Sequence, residues 1–146
     1  PFPFGQLLVR YQDGAVTRLT RTEEPVREEG RTALTDLVFQ QISEYLEGRR
    51  RTFDFPYVLK GTPFQQRVWQ ALCTIPYGET RTYGEIAAAV GSPKAFRAVG
   101  MANHQNPIFI AVPCHRVIGA GGRLVGYGGG LDMKEALLQM ERRALE

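Results

Sequence analysis

The sequence is poor in cysteine, has no long apolar run, and across much of its second half has no acidic residue. Its 146 residues include only two cysteines, Cys73 and Cys114, 41 positions apart. That spacing supplies neither a disulfide framework nor a Cys-x-x-Cys metal site, and it suits a reducing compartment. No apolar stretch reaches the roughly 20 residues that a spanning helix needs, and no secretory signal precedes Pro1. A soluble, cytoplasmic protein is expected, without membrane attachment. The glycines near the C-terminal end do not form a dinucleotide fingerprint, because Leu124 and Leu131 stand where its last glycine would fall. No cofactor and no metal is expected.

The missing acids are informative because of where they are missing. Residues 1–60 carry nine basic and nine acidic side chains, whereas 61–146 carry nine basic and six acidic, so the net charge of +3 arises wholly in the second part. Between Ile86 and Leu131 there is no Asp or Glu, while Lys94, Arg97, Arg116 and Arg123 are present. One surface can therefore face a polyanion without internal repulsion.

At this length one compact unit is expected, with a single real core. Residues 4–11 and 15–21 read as strands joined through Asp13-Gly14, a dipeptide that favours a tight hairpin. A charged connection over 22–30 follows. Leu34, Leu37, Val38, Ile42, Tyr45 and Leu46 recur at helical spacing from Thr32 up to a stop at Gly48, which predicts a packing helix. Arg49, Arg50 and Arg51 read as a solvated helix end, and 53–61 as a link to the second part.

Thr62-Pro63-Phe64-Gln65 combines an N-cap, a first-turn proline and a capping-box Gln, so a helix begins there. Its apolar face is Phe64, Val68, Ala71, Leu72 and Ile75, and Cys73 beside it reads as core. Pro76-Tyr77-Gly78 breaks the chain, and Thr82-Tyr83-Gly84-Glu85 is a second capping box opening a short helix. Gly91 ends that helix, Ser92 is expected to cap the next, and Pro93 to sit in its first turn. Two short helices around a glycine-containing turn suggest a helix-turn-helix. On the second, Phe96 and Val99 are expected to pack inward, leaving Ala95, Ala98 and Ala102 as a slim stripe beside Lys94 and Arg97. The apolar run 108–112, bounded by Pro107 and Pro113, reads as a short buried strand. Val117-Ile118 and 123–125 flank Gly119–Gly122 as a hairpin or wing, and 132–145 reads as a final helix through Met133, Ala136, Leu137 and Met140.

Cys114, His115 and Arg116 bring together a thiol, an imidazole and a guanidinium. Consecutive side chains on a strand point to opposite faces, so Cys114 and His115 can cooperate only across a turn after Pro113 or through a water. A free thiol has a pKa of about 8.5 and reacts as its thiolate, so a neighbouring base is needed near neutral pH. A lone Cys-His pair is also compatible with a small buried cysteine.

Pro113-Cys114-His115-Arg116-Val117, with Asn106-Pro107 before it and Gly126-Tyr127-Gly128-Gly129-Gly130 after it, resembles the active site of the O6-alkylguanine-DNA alkyltransferases in all three pieces and their spacing. The resemblance covers residues 62–141. It implies Cys114 as alkyl acceptor, His115 as its base through a water, and Glu141 as the carboxylate orienting the imidazole, where a solvated helix glutamate is the alternative. It implies Tyr83 as a donor toward guanine N3, where an interface tyrosine capping the first helix is the alternative, and Asn106 as the hinge between the second helix and the active-site segment. Arg97 would fill the gap left by a flipped base, or else contact phosphate. Lys94, Ala95, Ala98, Thr82 and Arg116 would complete a DNA-binding set, and Val117, Tyr127, Gly128, Gly129 and Gly130 would line the base pocket.

The implied fold is α+β: an N-terminal ribonuclease-H-like subdomain, 1–58, with a small antiparallel sheet plus helix, and a C-terminal, mainly helical, winged-helix-like domain with a helix-turn-helix, 59–146. The implied activity is direct-reversal DNA repair, a stoichiometric and irreversible transfer of alkyl from O6-alkylguanine, and from O4-alkylthymine, to Cys114. The partner is double-stranded DNA held through its minor groove with little sequence specificity, by a monomer. Relatives usually have another strand before the turn at Pro3-Phe4-Gly5, so the chain is expected to be truncated there. Gly128 stands where many relatives have Ser or Ala, and Phe96 is larger than the expected alanine. A binding-only relative would lack the acceptor cysteine, and a helix-turn-helix regulator would need base-reading polar side chains where the alanines lie.

Overall fold

The computed structural model describes residues 4–22, 31–122 and 130–145. The fold begins with the predicted hairpin, β1 (Gln6–Gln12) and β2 (Ala15–Thr22), antiparallel with a bulge at Arg10/Tyr11. Asp13 (φ 53°) and Gly14 (φ 78°) both take the left-handed conformation that a two-residue hairpin turn demands. The other edge of β2 is touched twice by later chain. Val16 exchanges hydrogen bonds with Pro56 and Val58, and Leu19 with Pro107 and Phe109, the Leu19 N–H to Pro107 carbonyl distance being 2.7 Å. The hairpin thereby grips the segment leading to Cys114.

Helix α1 (Ala33–Leu46) is capped by Thr32 and buries Val38, Ile42 and Tyr45. Burying Val38 and Ile42 stabilises by about 1.5–3 kcal/mol each, well above what propensity alone supplies to such a helix. Gly48 ends the segment at φ 78°. Helix α2 (Pro63–Leu72) has the predicted capping box, with Thr62 and Gln65 satisfying each other's backbone N–H groups. Trp69 on α2 is buried and donates from Nε1 to the Ala102 carbonyl at 2.9 Å.

A two-residue strand, β3 (Arg81–Thr82), pairs in parallel with β4 (Val117–Ile118). The expected partner of β4, 123–125, lies outside the described residues, as do Tyr127, Gly128 and Gly129. Helix α3 (Tyr83–Ala89) starts at its Thr82/Glu85 capping box and stops at Gly91, φ 81°. Helix α4 (Phe96–His104) packs against α2 and α3, and α5 (Leu131–Ala144) packs against the Cys114 turn. The architecture is a mixed α/β fold with five helices and a small antiparallel hairpin among the described residues. One hydrophobic cluster runs from Leu7 and Val16 through Trp69 and Val99 to Leu137. No helix among these residues is long and apolar enough to cross a membrane.

Four local expectations are corrected. The strand over 108–112 is a single bridge at Ile108 followed by turns, because Ile110 adopts φ 69° and Val112 N–H folds back onto the Ile108 carbonyl. Ser92 does not cap α4: residues 92–95 form a turn in which Ala95 N–H bonds Ser92 O, and the helix opens at Ala95 without any side-chain cap, leaving Pro93 outside it. Phe96 points outward, 52% exposed, while Ala102, expected on the surface stripe, is buried beside Trp69. Cys73 is the C-cap of α2 and is exposed rather than core.

Candidate active site

Cys114 opens one turn of 3-10 helix, Cys114–Arg116, directly after Pro113. The turn is held by amides of nearby side chains, which stand in for the missing strand ladder. Asn106 Nδ2 donates to the Val112 carbonyl at 2.8 Å, and its Oδ1 accepts from Ile108 N–H at 3.0 Å. Asn103, on α4, donates from Nδ2 to the Cys114 carbonyl at 3.3 Å. Asn106, two residues beyond α4, therefore ties itself to the segment that leads into Cys114. The residue Cys114 itself is 3% exposed.

His115 is wholly buried and Glu141 reaches it from the last turns of α5, with Nε2 and Oε2 2.7 Å apart. A carboxylate accepts, so Nε2 carries the proton and Nδ1 presents its lone pair. Nδ1 is buried and has no hydrogen-bond partner among the described residues. Arg116 turns inward: Nε and Nη2 meet the two oxygens of Glu141 at 2.9 and 3.0 Å, and Nη1 donates to the Ile75 carbonyl at 2.9 Å. Gly78 adds its backbone N–H to Glu141 Oε1 at 3.0 Å, from a φ of 82° at which a side chain would strike Leu145. The Tyr45 hydroxyl, from α1, donates to Oε2.

Burial pushes the Glu141 carboxyl upward, but hydrogen bonds and charge from His115 and Arg116 outweigh it and hold the group well below the usual carboxylate range. Burial lowers His115 from its ordinary value, only partly opposed by Glu141, so the imidazole is neutral and able to accept a proton. Burial raises Tyr83, partly offset by a hydrogen bond with Asn103, with the Cys114 charge adding to the rise; its phenol is a proton donor at neutral pH.

Lys134 is a second buried cation that sequence reasoning passed over. It is fully buried on α5, donates from Nζ to the Val117 carbonyl at 2.5 Å, and lies 5.9 Å from the centre of the Tyr83 ring. Burial lowers its pKa to about 8, with the neighbouring Cys114 charge acting in the opposite direction. Lys134, Leu137, Leu138 and Glu141 follow one another at helical spacing on a single buried stripe. The apolar spacing of Met133, Leu137 and Met140 predicts the helix, but only the docking of α5 against the Cys114 turn fixes Lys134 and Glu141 on its buried side. The Cys73 residue is exposed, yet its thiol lodges against Tyr57 and partial desolvation raises its pKa, unlike an activated nucleophile.

The structure thus brings together Cys114, His115, Glu141, Tyr83 and Asn106, adds Asn103, Lys134 and Tyr45, and removes Arg116 from the surface, correcting its expected place in a DNA-binding set. The fork geometry of guanidinium and carboxylate explains the correction, since a bidentate partner inside the fold outcompetes solvent for Arg116. Val117 is buried, with its carbonyl engaged by Lys134. The Thr82 side chain caps α3. Lys94, Arg97 and Ala98 are exposed and Ala95 is half-buried, all at or just before the start of α4. Gly130 precedes α5 at φ 98°.

The chain is similar to known proteins along nearly its whole length. The family model for the DNA-binding domain of 6-O-methylguanine DNA methyltransferase matches residues 63–143. The methylated-DNA–protein-cysteine methyltransferase of Mycolicibacterium paratuberculosis is 51% identical over 97% of this chain and 88% of its own length. The crystal structure of the Mycobacterium tuberculosis O6-methylguanine methyltransferase superposes with a TM-score of 0.87 at 48% identity, covering 98% of this chain and 90% of that one. The same organism's OGT in complex with DNA gives 0.84 at 47% identity, with 98% and 90% covered. On the strength of a match that runs through the whole helical part and nearly all of the chain, this protein belongs to the O6-methylguanine-DNA methyltransferase family.

Proposed function

We propose that the chain repairs alkylated DNA by direct reversal, moving the alkyl group from guanine O6 onto the Cys114 sulfur. The observation that carries this reading is a cysteine on a tightly braced turn next to a His115–Glu141 pair whose second ring nitrogen is free to take a proton. A water between Cys114 and His115 Nδ1 passes the thiol proton to the imidazole, and Glu141 stabilises the imidazolium that results. The Lys134 ammonium favours the thiolate. The sulfur then attacks the alkyl carbon in line, an S–C bond forms, the C–O6 bond breaks, and its electron pair leaves with the guanine. Tyr83 supplies the proton that the departing base needs at N3. The thioether is not reversed, so one molecule repairs one lesion.

The substrate atom lies inside the duplex, so the base is extruded at a cost of a few kcal/mol, least at a damaged pair. Arg97 and Lys94, exposed around the start of α4, serve the DNA side: Arg97 occupies the gap in the stack and Lys94 a phosphate, with Ala95 and Ala98 keeping the helix slim against the minor groove. Thr82 approaches the backbone from the start of α3. Val117 and Gly130 belong to the base pocket, to which the family resemblance also assigns Tyr127, Gly128 and Gly129. In this reading residues 1–58 form the ribonuclease-H-like subdomain and 59–146 the winged-helix-like domain, acting as a monomer, with O4-alkylthymine as a second substrate. Incubation with a duplex carrying O6-methylguanine, followed by peptide mass mapping, is expected to place one methyl on Cys114 and none on Cys73. The Cys114→Ser variant should take up none; methyl retained there would overturn the assignment.

A further inference from the structure

The Glu141 carboxylate is shared between two halves of the chain: Gly78, His115 and Arg116 reach it from the second half, and Tyr45 reaches it from the first. Tyr45 sits on α1 within the hairpin-and-helix part, is fully buried, and places its hydroxyl on Glu141 Oε2 and 3.3 Å from His115 Nε2. Because Nε2 is occupied as a donor to Oε2, the phenol must donate to that same oxygen. A packing tyrosine would not need this geometry; a buried hydroxyl has to find a partner, and here the partner is the oxygen that the imidazole uses.

We infer that Tyr45 is a positioning residue for alkyl transfer, one that sets the proton affinity of His115 by drawing charge away from the Glu141 oxygen the imidazole leans on. The inference rests on the proposed reaction. The groups facing this pair are few and named: Arg116 from the cysteine turn, Lys134 from α5, the Gly78 N–H, and Tyr77, over whose ring the guanidinium groups of Arg51 and Arg116 lie at 5.0 and 5.5 Å. Arg116, Lys134 and Gly78 all withdraw proton affinity from the pair by charge or by an N–H, and Tyr45 is the contribution that comes from α1. Without its O–H, Oε2 keeps more negative charge, an imidazolium at residue 115 is stabilised, and the base becomes protonated at a higher pH. Burial also drives the Tyr45 phenol far above its ordinary pKa, with Glu141 adding to the rise, so it remains a donor throughout the working range.

The test is the pH dependence of single-turnover methyl transfer at saturating O6-methylguanine duplex, using the full chain. Tyr45→Phe should move the low-pH limb upward by roughly half to one pH unit. Placing 3-fluorotyrosine at position 45, a stronger donor of nearly the same shape, should move it downward. A role in packing alone would lower the rate equally at every pH or leave it unchanged, and either result would overturn the inference. The fluorinated protein carries the test if the Phe variant does not fold. Should the unmodified protein transfer no methyl at any pH, the proposed reaction itself would fail, a result distinct from an unmoved limb.

Discussion

Two regions of this molecule carry cations, and they use them in opposite ways. Around Cys114, Arg116 and Lys134 are buried and engage a carboxylate, two backbone carbonyls and the neighbourhood of a thiol. At the start of α4, Lys94 and Arg97 are exposed, with Phe96 and Met101 also open to solvent. In the sequence all four are basic residues of the acid-poor second part. The difference teaches that a charge count locates a positive stretch without saying which of its members face a partner. That depends on whether the fold offers a bidentate acceptor or a desolvated carbonyl within reach.

The contrast is broken most severely at Glu141. In Glu141→Gln the Arg116 guanidinium keeps its place without its counter-charge, and a loss of about 3–5 kcal/mol is expected, visible as a fall of roughly 10 °C or more in Tm, together with greatly slowed transfer. The acid response should change too. Because the folded carboxyl is held far below its unfolded value of about 4.3, its contribution is complete above about pH 5 and is lost as pH falls through the unfolded value toward the folded one. Denaturant midpoints measured between about pH 5 and pH 3 should fall steeply in the unmodified protein and less so in the variant.

Lys134→Met is the next largest test, and it should separate stability from activity. The lysine is held with a pKa of about 8, below its unfolded value of about 10.4. The unfolded chain therefore binds the extra proton between those values, and stability should rise as pH climbs through that window. Replacing the ammonium with a thioether chain of similar length should stabilise the protein at neutral pH by about 1–3 kcal/mol and remove that rise. Transfer should slow by about tenfold or more if the ammonium supports the thiolate. A variant that is both steadier and equally fast would show that the buried charge has no part in the chemistry.

The smallest effects belong to the exposed face. Lys94→Ala and Arg97→Ala should each change stability by less than about 0.5 kcal/mol. Lys94→Ala should weaken duplex binding evenly across sequences and reduce the salt slope by about 1. Arg97→Ala should act mainly on transfer from paired DNA, with little effect on a free O6-alkylguanine base.

How much of this was legible in the sequence depends on the range of the forces involved. The two capping boxes, Thr62/Gln65 and Thr82/Glu85, and the Asp13-Gly14 turn formed as read, because each is decided by residues within four positions. The 108–112 segment was misread because its conformation is set at a distance: one rung to Leu19 and the Asn106 amide hold it, and Ile110 is driven to positive φ. Ser92 and Pro93 had the composition of a helix start, yet the preceding stop at Gly91 and the bond from Ser92 N–H to Ala87 O hold that stretch as a turn. Cys114 and His115 stood out through their motif. The inward turn of Arg116, the stripe that buries Lys134, and the reach of Tyr45 across 96 positions to Glu141 required tertiary structure.

His115 meets its carboxylate across 26 positions of chain, and that carboxylate is on α5, which docks against the turn only once the intervening segment has been made. Cys114 and His115 are therefore synthesised before the carboxylate that braces the imidazole. Until α5 settles, His115 lacks the carboxylate that holds its ring beside Cys114. For a reagent that can be used once, completion of the fold serves as the safety catch.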